Sequence, residues 1–221
     1  MPAPADPNKP RARRSAPGRG RGSVSSERQA SFTAPGLSVE EGRQLVQVLG
    51  ERLVALIDLG LTLKHVHWNV VGPHFVAVHT MLDDHYAGVS TMVDDTAERV
   101  ATLGGVPSGL PGRLVETRTW DDYDIGRADT QAHLGALDLV YNGVIADHRR
   151  AIAEVSEIDP ISEDLLIQQT SALEKYHWFV RSHLADYAGG LASAGSVSEL
   201  EAARSAVTRS RRSGRRGAPE R

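Results

Sequence analysis

The chain has 221 residues, of which 40% are hydrophobic, so it is long enough to bury one sizeable core. It contains no cysteine, which excludes disulfide bonds and thiolate chemistry. No apolar run approaches the ~20 residues needed to cross a membrane, and the N-terminus lacks the apolar segment of a secretory signal. These features predict a soluble, cytoplasmic protein with no membrane partner.

The net charge of −3 hides a separation of charge along the chain. Residues 1–28 and 201–221 together hold 14 basic and 4 acidic residues, and the residues between them carry a net charge of −13. The N-terminal segment consists mainly of Gly, Pro, Ser and Arg, and the C-terminal segment has a similar composition after Val207. Such segments bury too little apolar surface to offset the entropy lost on ordering.

This composition divides the chain into three parts. We expect a disordered basic N-terminal arm over residues 1–35, a helical domain over residues 36–190 and a mobile basic tail over residues 191–221. The two ends either keep the protein soluble or neutralise phosphates on DNA, with an affinity that falls steeply in salt. The second interpretation assigns DNA contacts to Lys9, Arg11, Arg13, Arg14, Arg19, Arg21, Arg209, Arg211, Arg212, Arg215 and Arg216.

The domain has the pattern of four long helices. The first begins at Ser38, where Ser38 and Glu41 match a capping box, and its apolar stripe continues to about Asn69. The other three are predicted at about residues 74–103, 129–157 and 160–187. No segment has the period of a strand, so the sequence predicts an all-α four-helix bundle.

Two shorter helices are also predicted. One lies at about residues 119–124, in the connection between the second and third long helices. The other covers residues 196–207, where Ser196 and Glu199 match a second capping box. The tail would therefore contain a short helix before its basic end.

Four residues of metal-binding type share one face of the second long helix. His79, Asp83, Asp94 and Glu98 have offsets of 0, 4, 15 and 19, which at 100° per residue span an arc of about 100°. Asp83 and Asp94 lie ~16 Å apart along a helix axis, too far to bind one ion together. Either the helix carries two half-sites, or an antiparallel second copy of the chain completes each site.

His67 belongs to the same group, because the break at Gly72-Pro73 lets it fold back toward His79. A shared site would then combine His67, His79 and Asp83 from one subunit with Asp94 and Glu98 from its partner. Imidazole and carboxylate ligands without a thiolate suit iron, manganese or zinc. The alternative is that these acids form an ordinary solvated helix face.

One long motif runs through all five candidate ligands. Its matched positions are Lys64, His67, Trp68, Asn69, Val70, Gly72, Phe75, His79, Asp83, Asp94, Glu98 and Arg99. The motif resembles the signature of the Dps family, the DNA-binding proteins from starved cells. The resemblance covers about residues 38–188 and implies a ferritin-like four-helix subunit in a hollow shell of twelve.

The same resemblance implies an activity. Iron would bind at His67, His79, Asp83, Asp94 and Glu98 between two-fold related subunits, without an organic cofactor. Hydrogen peroxide would be the preferred oxidant of Fe²⁺, and ferric mineral would collect in the shell. Mobile basic ends would bind DNA without sequence preference and protect the nucleoid under stress. The alternative function is a non-enzymatic, DNA-compacting shell whose metal site is structural or vestigial.

Two further features have both a structural and a functional interpretation. Trp68, beside His67, either packs between helices or acts as a catalytic, oxidisable ring that intercepts radicals near the iron. Glu157, Asp159 and Asp164 surround the turn between the third and fourth long helices. They either cap the fourth helix or line an iron-entry pore that attracts Fe²⁺.

Overall fold

The structure, a computed structural model, describes residues 30–216. The elements in this part are α1 (Val39–Asn69), β1 (Val70–Val71), α2 (Phe75–Thr102), α3 (Pro111–Thr117), β2 (Ala128–Asp129), α4 (Thr130–Val155), α5 (Pro160–Leu184) and α6 (Glu199–Arg216). The predicted all-α four-helix bundle is confirmed, with α1, α2, α4 and α5 as its long helices. No helix within residues 30–216 is long and apolar enough to cross a membrane.

The helix starts follow local capping chemistry. At α1 the Ser38 hydroxyl accepts from the Glu41 amide at 3.2 Å, and the Glu41 carboxylate accepts from the Ser38 amide at 2.7 Å. At α5 the Asp159 carboxylate accepts from the Ser162 amide at 2.9 Å, and Pro160 occupies the first turn. The capping box predicted at Ser38 is therefore formed.

A short parallel pairing joins the end of α1 to the start of α4. Val70 of β1 lies opposite Ala128 of β2, and Val71 lies opposite Asp129. The Asp129 carboxylate also accepts from the Ala132 amide at 2.9 Å and so caps α4. Two-residue strands are too short to show a sequence period, which is why the sequence did not predict them.

The short helix in the connection between α2 and α4 lies earlier than predicted. It is α3, Pro111–Thr117, whereas residues 119–124 have no helical structure. Pro111 favours the first turn of α3 because its φ is already helical. The stretch after α3 is instead held by Asp58, which accepts from Arg118 Nη1 at 3.3 Å and from Trp120 Nε1 at 2.7 Å.

A polar layer crosses the bundle between two apolar clusters. One cluster includes Leu56 and Leu82, and the other includes Leu45 and Leu166. Between them the long helices contribute five buried polar side chains, which are Arg52, Thr96, His148, Gln169 and Thr170. Gln169 Nε2 donates to Thr96 Oγ1 at 2.9 Å. The layer thus joins α2 to α5 within the core.

We expect His148 to make the fold sensitive to acid. Burial lowers the pKa of His148 to about 4, compared with ~6.5 for an unfolded chain. Protonation therefore favours the unfolded chain, and stability that is present above pH ~6.5 is lost as the pH falls toward the folded pKa. The loss between about pH 6.5 and pH 5 should be about 2 kcal/mol.

Urea unfolding at these two pH values would test the His148 prediction. His148→Gln, which has no titrating group, should show a smaller pH dependence of the unfolding free energy than the parent chain. His74→Gln, at an exposed histidine, is the matched control and should keep the parent's dependence. Equal pH dependence in His148→Gln and the parent would contradict the prediction.

The C-terminal helix α6 is longer than predicted and packs on α4. Its contact face contains buried Ala202, Ala203 and Ala206. The cap is formed by Ser198, whose Oγ accepts from the Glu201 amide at 3.3 Å, and not by Ser196. The helix runs past Val207, where the sequence predicted a mobile tail, because alanine packing and helix-forming arginines extend it to Arg216.

Close approach of α6 to α4 depends on Gly135. A Cβ at this position would lie 2.6 Å from the Ala202 carbonyl oxygen, so α6 would have to shift. We expect Gly135→Ala to lower the free energy of unfolding by about 1–3 kcal/mol. Gly143→Ala, on the same helix with no atom within 4 Å of its Cβ, should instead stabilise by up to ~1 kcal/mol.

Denaturant unfolding of both glycine variants would check this prediction. Limited proteolysis of the segment between α5 and α6 would show whether α6 has detached from α4 in Gly135→Ala. Similar stability of the two variants would show that α6 does not constrain this face of α4.

Candidate metal centre

Three of the five predicted ligands meet where α1 ends and α2 begins. His67, His79 and Asp83 each place one ligand atom within 4.8 Å of the others. The turn between the helices contains Gly72 with a φ of +112°, a left-handed conformation that side chains rarely adopt. The reversal of the chain at Gly72 therefore carries His67 back onto the first turns of α2.

The two histidines are held in one orientation. Their rings stack with centroids 3.6 Å apart and planes at 22°. His67 Nδ1 donates to the His79 carbonyl at 3.1 Å, and His79 Nδ1 donates to the His67 carbonyl at 3.0 Å. With the proton on Nδ1, each Nε2 keeps a lone pair for a metal ion. The pair therefore has the tautomer that a metal site needs.

Asp83 completes this half of the site. Its Oδ1 lies 2.8 Å from Lys64 Nζ and 3.5 Å from His67 Nδ1, and its side chain is 48% exposed. The hydrogen bond from Lys64 lowers the pKa of Asp83, so the carboxylate is ionised near neutral pH. Two imidazoles and one carboxylate form a donor set suited to Fe²⁺.

Asp94 and Glu98 lie further along α2 and do not join this group. Both are exposed, and no hydrogen bond or ion pair of either carboxylate is seen within residues 30–216. Because α2 is continuous from Phe75 to Thr102, Asp83 and Asp94 remain ~16 Å apart. A single chain therefore presents a histidine-rich half where α1 meets α2 and an acidic half further along α2.

Exposed apolar side chains lie on the same two helices as the histidine-rich half. Trp68 is 73% exposed, so it does not pack between helices of its own chain, and Leu61 on α1 is 59% exposed. Val76 at the start of α2 is also exposed. Exposed apolar side chains next to a polar site are typical of a protein interface. The patch of Leu61, Trp68 and Val76 therefore suits contact with another chain.

The three predicted pore residues have different environments. Asp159 is 5% exposed, caps α5 and pairs with Arg99 Nη2 at 2.5 Å. Asp159 is therefore engaged within its own chain, as in the capping interpretation of the sequence. Glu157 and Asp164 are exposed, and Asp164 accepts from Gln168 Nε2 at 2.6 Å.

The structure describes only some of the predicted DNA-contacting residues, and these differ in their surroundings. Lys9, Arg11, Arg13, Arg14, Arg19 and Arg21 lie outside the described residues. In α6, Arg211 and Arg212 are exposed, while Arg209 is bound to the Asp186 carboxylate and the Leu191 carbonyl. Arg204 is exposed on the same helix and was not assigned from the sequence. Arg215 and Arg216 lie at the end of α6.

Comparisons with known proteins agree with this geometry. A family model for the ferritin-like domain matches residues 46–189. The DNA protection during starvation protein of Mycolicibacterium smegmatis is 49% identical over 173 residues, which are 78% of this chain and 94% of that protein. The fine tangled pili major subunit of Haemophilus ducreyi is 49% identical over 157 residues, covering 71% of this chain and 83% of that protein.

A solved structure is also similar to this chain. DpsA14 from Streptomyces coelicolor superposes with a TM-score of 0.73 at 57% identity, covering 74% of this chain and 98% of that chain. The family-model match at residues 46–189 contains the histidine-rich half-site and most of the four-helix bundle. The chain therefore belongs to the Dps family of ferritin-like proteins.

Proposed function

We propose that the protein is an iron-oxidising and iron-storing shell of twelve subunits that also binds DNA. The observation that carries this proposal is the separation of one donor set into a histidine-rich group where α1 meets α2 and an acidic pair further along α2. His67, His79 and Asp83 converge beside an exposed apolar patch. Asp94 and Glu98 lie on the same helix and, within residues 30–216, have no partners of their own, as expected for ligands offered to a second subunit.

Each residue then has a definite role in the chemistry. The Nε2 atoms of His67 and His79 and the Asp83 carboxylate bind Fe²⁺, which is the substrate. Asp94 and Glu98 of a second subunit close the site from the other side. Two Fe²⁺ ions supply the two electrons that convert one hydrogen peroxide, with two protons, into two water molecules. Peroxide is thus consumed without release of hydroxyl radicals.

Trp68 and the acidic residues near the turn between α4 and α5 belong to the same proposal. Trp68 lies next to His67 at the exposed patch, where an oxidisable ring can intercept a radical formed at the iron. Glu157 and Asp164 present exposed carboxylates that can attract Fe²⁺ toward the shell. The proposed chemistry uses iron and no organic cofactor.

DNA binding would come from the basic ends of the chain. Arg204, Arg211 and Arg212 project from α6, and the N-terminal arm adds further positive charge. Twelve copies of each on one particle would make weak phosphate contacts add through high effective concentration. Binding should not depend on the DNA sequence, because arginines that contact phosphates do not contact the base edges. The protein would then act in the cytoplasm on the nucleoid.

The alternative function is a DNA-compacting shell whose metal site is structural or vestigial. The oriented histidine tautomers and the ionised Asp83 argue against a vestigial site, since such a site does not need free Nε2 atoms beside a carboxylate. A purely structural metal would use the same ligands but would not support rapid oxidation of Fe²⁺. Stopped-flow measurement of Fe²⁺ oxidation by peroxide, and separately by O₂, would decide between them.

The informative variant for that measurement is His79→Ala with Asp83→Ala. We expect its peroxide-dependent rate to fall by at least about 100-fold, because removal of two ligands abolishes iron binding. His74→Ala with Asp84→Ala removes an exposed histidine and aspartate outside the half-site and should retain the rate. An unchanged rate in the first variant, in an intact shell, would refute the ferroxidase proposal.

A further inference from the structure

Arg209 differs from the neighbouring arginines of α6 because an acid of its own chain holds it. Its Nη2 pairs with the Asp186 carboxylate, and its Nη1 donates to the Leu191 carbonyl at 3.0 Å. The side chains of Arg204 and Arg212 are exposed and, within residues 30–216, are seen in no ion pair. The positive charge of Arg209 is therefore already matched inside the protein, while theirs faces solvent.

Arg209 nevertheless lines the same groove as these two arginines. The groove runs along α6 between Arg204, Ser205, Thr208, Arg209 and Arg212. Arg204, Thr208 and Arg212 are spaced four residues apart, so they follow one another along one face of the helix, and Arg209 lies beside them. A phosphate in this groove would meet guanidinium groups from successive turns, and guanidinium groups bind phosphate oxygens with strong, charge-assisted hydrogen bonds.

The acid that holds Arg209 lies in a tightly hydrogen-bonded turn after α5. Two backbone amides of the turn donate to Asp186 Oδ1 at 2.8 and 3.0 Å, the shorter bond coming from Gly190. Further along, Ser193 Oγ donates to the buried Asp138 carboxylate at 2.6 Å and ties the segment to α4. The bond from Gly190, together with the nearby Arg209, lowers the pKa of Asp186, so the turn keeps a negative charge at neutral pH.

The contact between Arg209 and the turn also depends on Gly190. A Cβ at position 190 would lie 2.8 Å from Arg209 Nη2 and 3.3 Å from Asp186 Oδ2. Gly190 does not have the positive φ of Gly189, so its backbone accepts a side chain without strain. An alanine at this position would therefore push the guanidinium away from the carboxylate and leave every charge in place.

We propose that Asp186 is an autoinhibitory contact that withholds Arg209 from the phosphates of DNA. The proposal rests on the DNA binding by α6 proposed above. The two side chains are 42% and 41% exposed, and an ion pair with this exposure contributes little stability, so a phosphate can compete with the carboxylate for Arg209. This competition lowers the DNA affinity of each subunit and makes binding depend more on many subunits acting together.

Gel shifts with the assembled Asp186→Asn shell would test the proposal. Asparagine keeps the oxygen that accepts from the amides of the turn but removes the charge that holds Arg209. One additional neutralised phosphate raises the affinity about eightfold at ~0.1 M salt and about fourfold at ~0.2 M. We therefore expect Asp186→Asn to bind DNA about eightfold or more tightly than the parent at the lower salt. Gly190→Ala should also tighten binding, with its net charge unchanged.

Two controls separate the release of Arg209 from the loss of a negative charge. In an Arg209→Gln background, Asp186→Asn should leave the DNA affinity unchanged, because no guanidinium remains to be released. Glu174→Gln removes the carboxylate partner of exposed Arg149, away from α6, and should bind DNA like the parent. Limited proteolysis would check that α6 stays on α4, and Gly190→Ala provides the comparison if Asp186→Asn loosens it.

The possible outcomes are distinct. Equal gains in DNA affinity from Asp186→Asn with and without Arg209 would overturn the inference, as would an equal gain from Glu174→Gln. Unchanged affinity in both Asp186→Asn and Gly190→Ala would overturn it as well, while DNA binding by the parent stands. A parent shell that fails to bind DNA would instead overturn the DNA-binding part of the proposed function, and the inference with it.

Discussion

Shells assembled from equal amounts of two inactive variants should regain about one quarter of the parent's ferroxidase sites. One variant carries His67→Ala with His79→Ala, and the other carries Asp94→Ala with Glu98→Ala. In random mixing about half of the two-fold pairs are mixed, and each mixed pair contains one fully intact site and one fully broken site. The expected loss in each pure variant is at least about 100-fold.

The assay is Fe²⁺ oxidation after the variants are unfolded together and reassembled. The pure variants, treated identically, are the matched controls, and the size of each shell is checked first. A site within one chain cannot be restored by mixing, because every chain would lack some of its ligands. Mixed shells as inactive as the pure variants would therefore contradict the shared site, as would an active monomer.

DNA binding should disappear when both basic regions are removed while iron oxidation continues. Deletion of residues 1–28 removes the basic residues of the N-terminal arm. Five substitutions neutralise the basic residues of α6 other than Arg209: Arg204→Gln, Arg211→Gln, Arg212→Gln, Arg215→Gln and Arg216→Gln. Substitution is preferable to truncation after Val207, which would also remove the ion pair between Arg209 and Asp186. Either change alone should weaken binding, and the slope of log affinity against log salt should fall by ~0.9 for each phosphate that the variant no longer neutralises.

Gel shifts over a range of salt would measure both effects. Arg149→Gln with Arg150→Gln provides a matched control, because these exposed α4 arginines pair with Glu174 and Asp147. The control should bind DNA like the parent. If the variant without both basic regions still shifts DNA at the same salt, the ends serve solubility and another basic surface binds the phosphates.

Much of this fold was predictable because its signals are local. The capping box of Ser38 and Glu41, the break at Gly72 and the helix-period apolar stripes depend on residues within a few positions of each other. The approach of His67 to His79 also follows from a single tight reversal between two helices. The donor set could therefore be proposed from spacing and from one motif.

Other features depend on contacts between distant residues. Residues 119–124 are not helical because Asp58, on α1, binds Arg118 and Trp120. Nothing near Asp159 in the sequence shows that Arg99 will pair with it and remove it from the surface. The same holds for Arg209 and Asp186, which are 23 residues apart. The length of α6 depends on its packing against Gly135, which lies on α4.

In the proposed ferroxidase, Lys64 would control how Fe²⁺ reaches Asp83. The ammonium group of Lys64 lies 2.8 Å from Asp83 Oδ1, so the carboxylate that the iron would use is already neutralised and held in place. Fe²⁺ at this carboxylate would replace one positive charge with another and would displace the lysine. Loading would therefore be a competition between two cations for one carboxylate, in which a doubly charged ion that also binds two imidazoles displaces Lys64 and a monovalent ion does not.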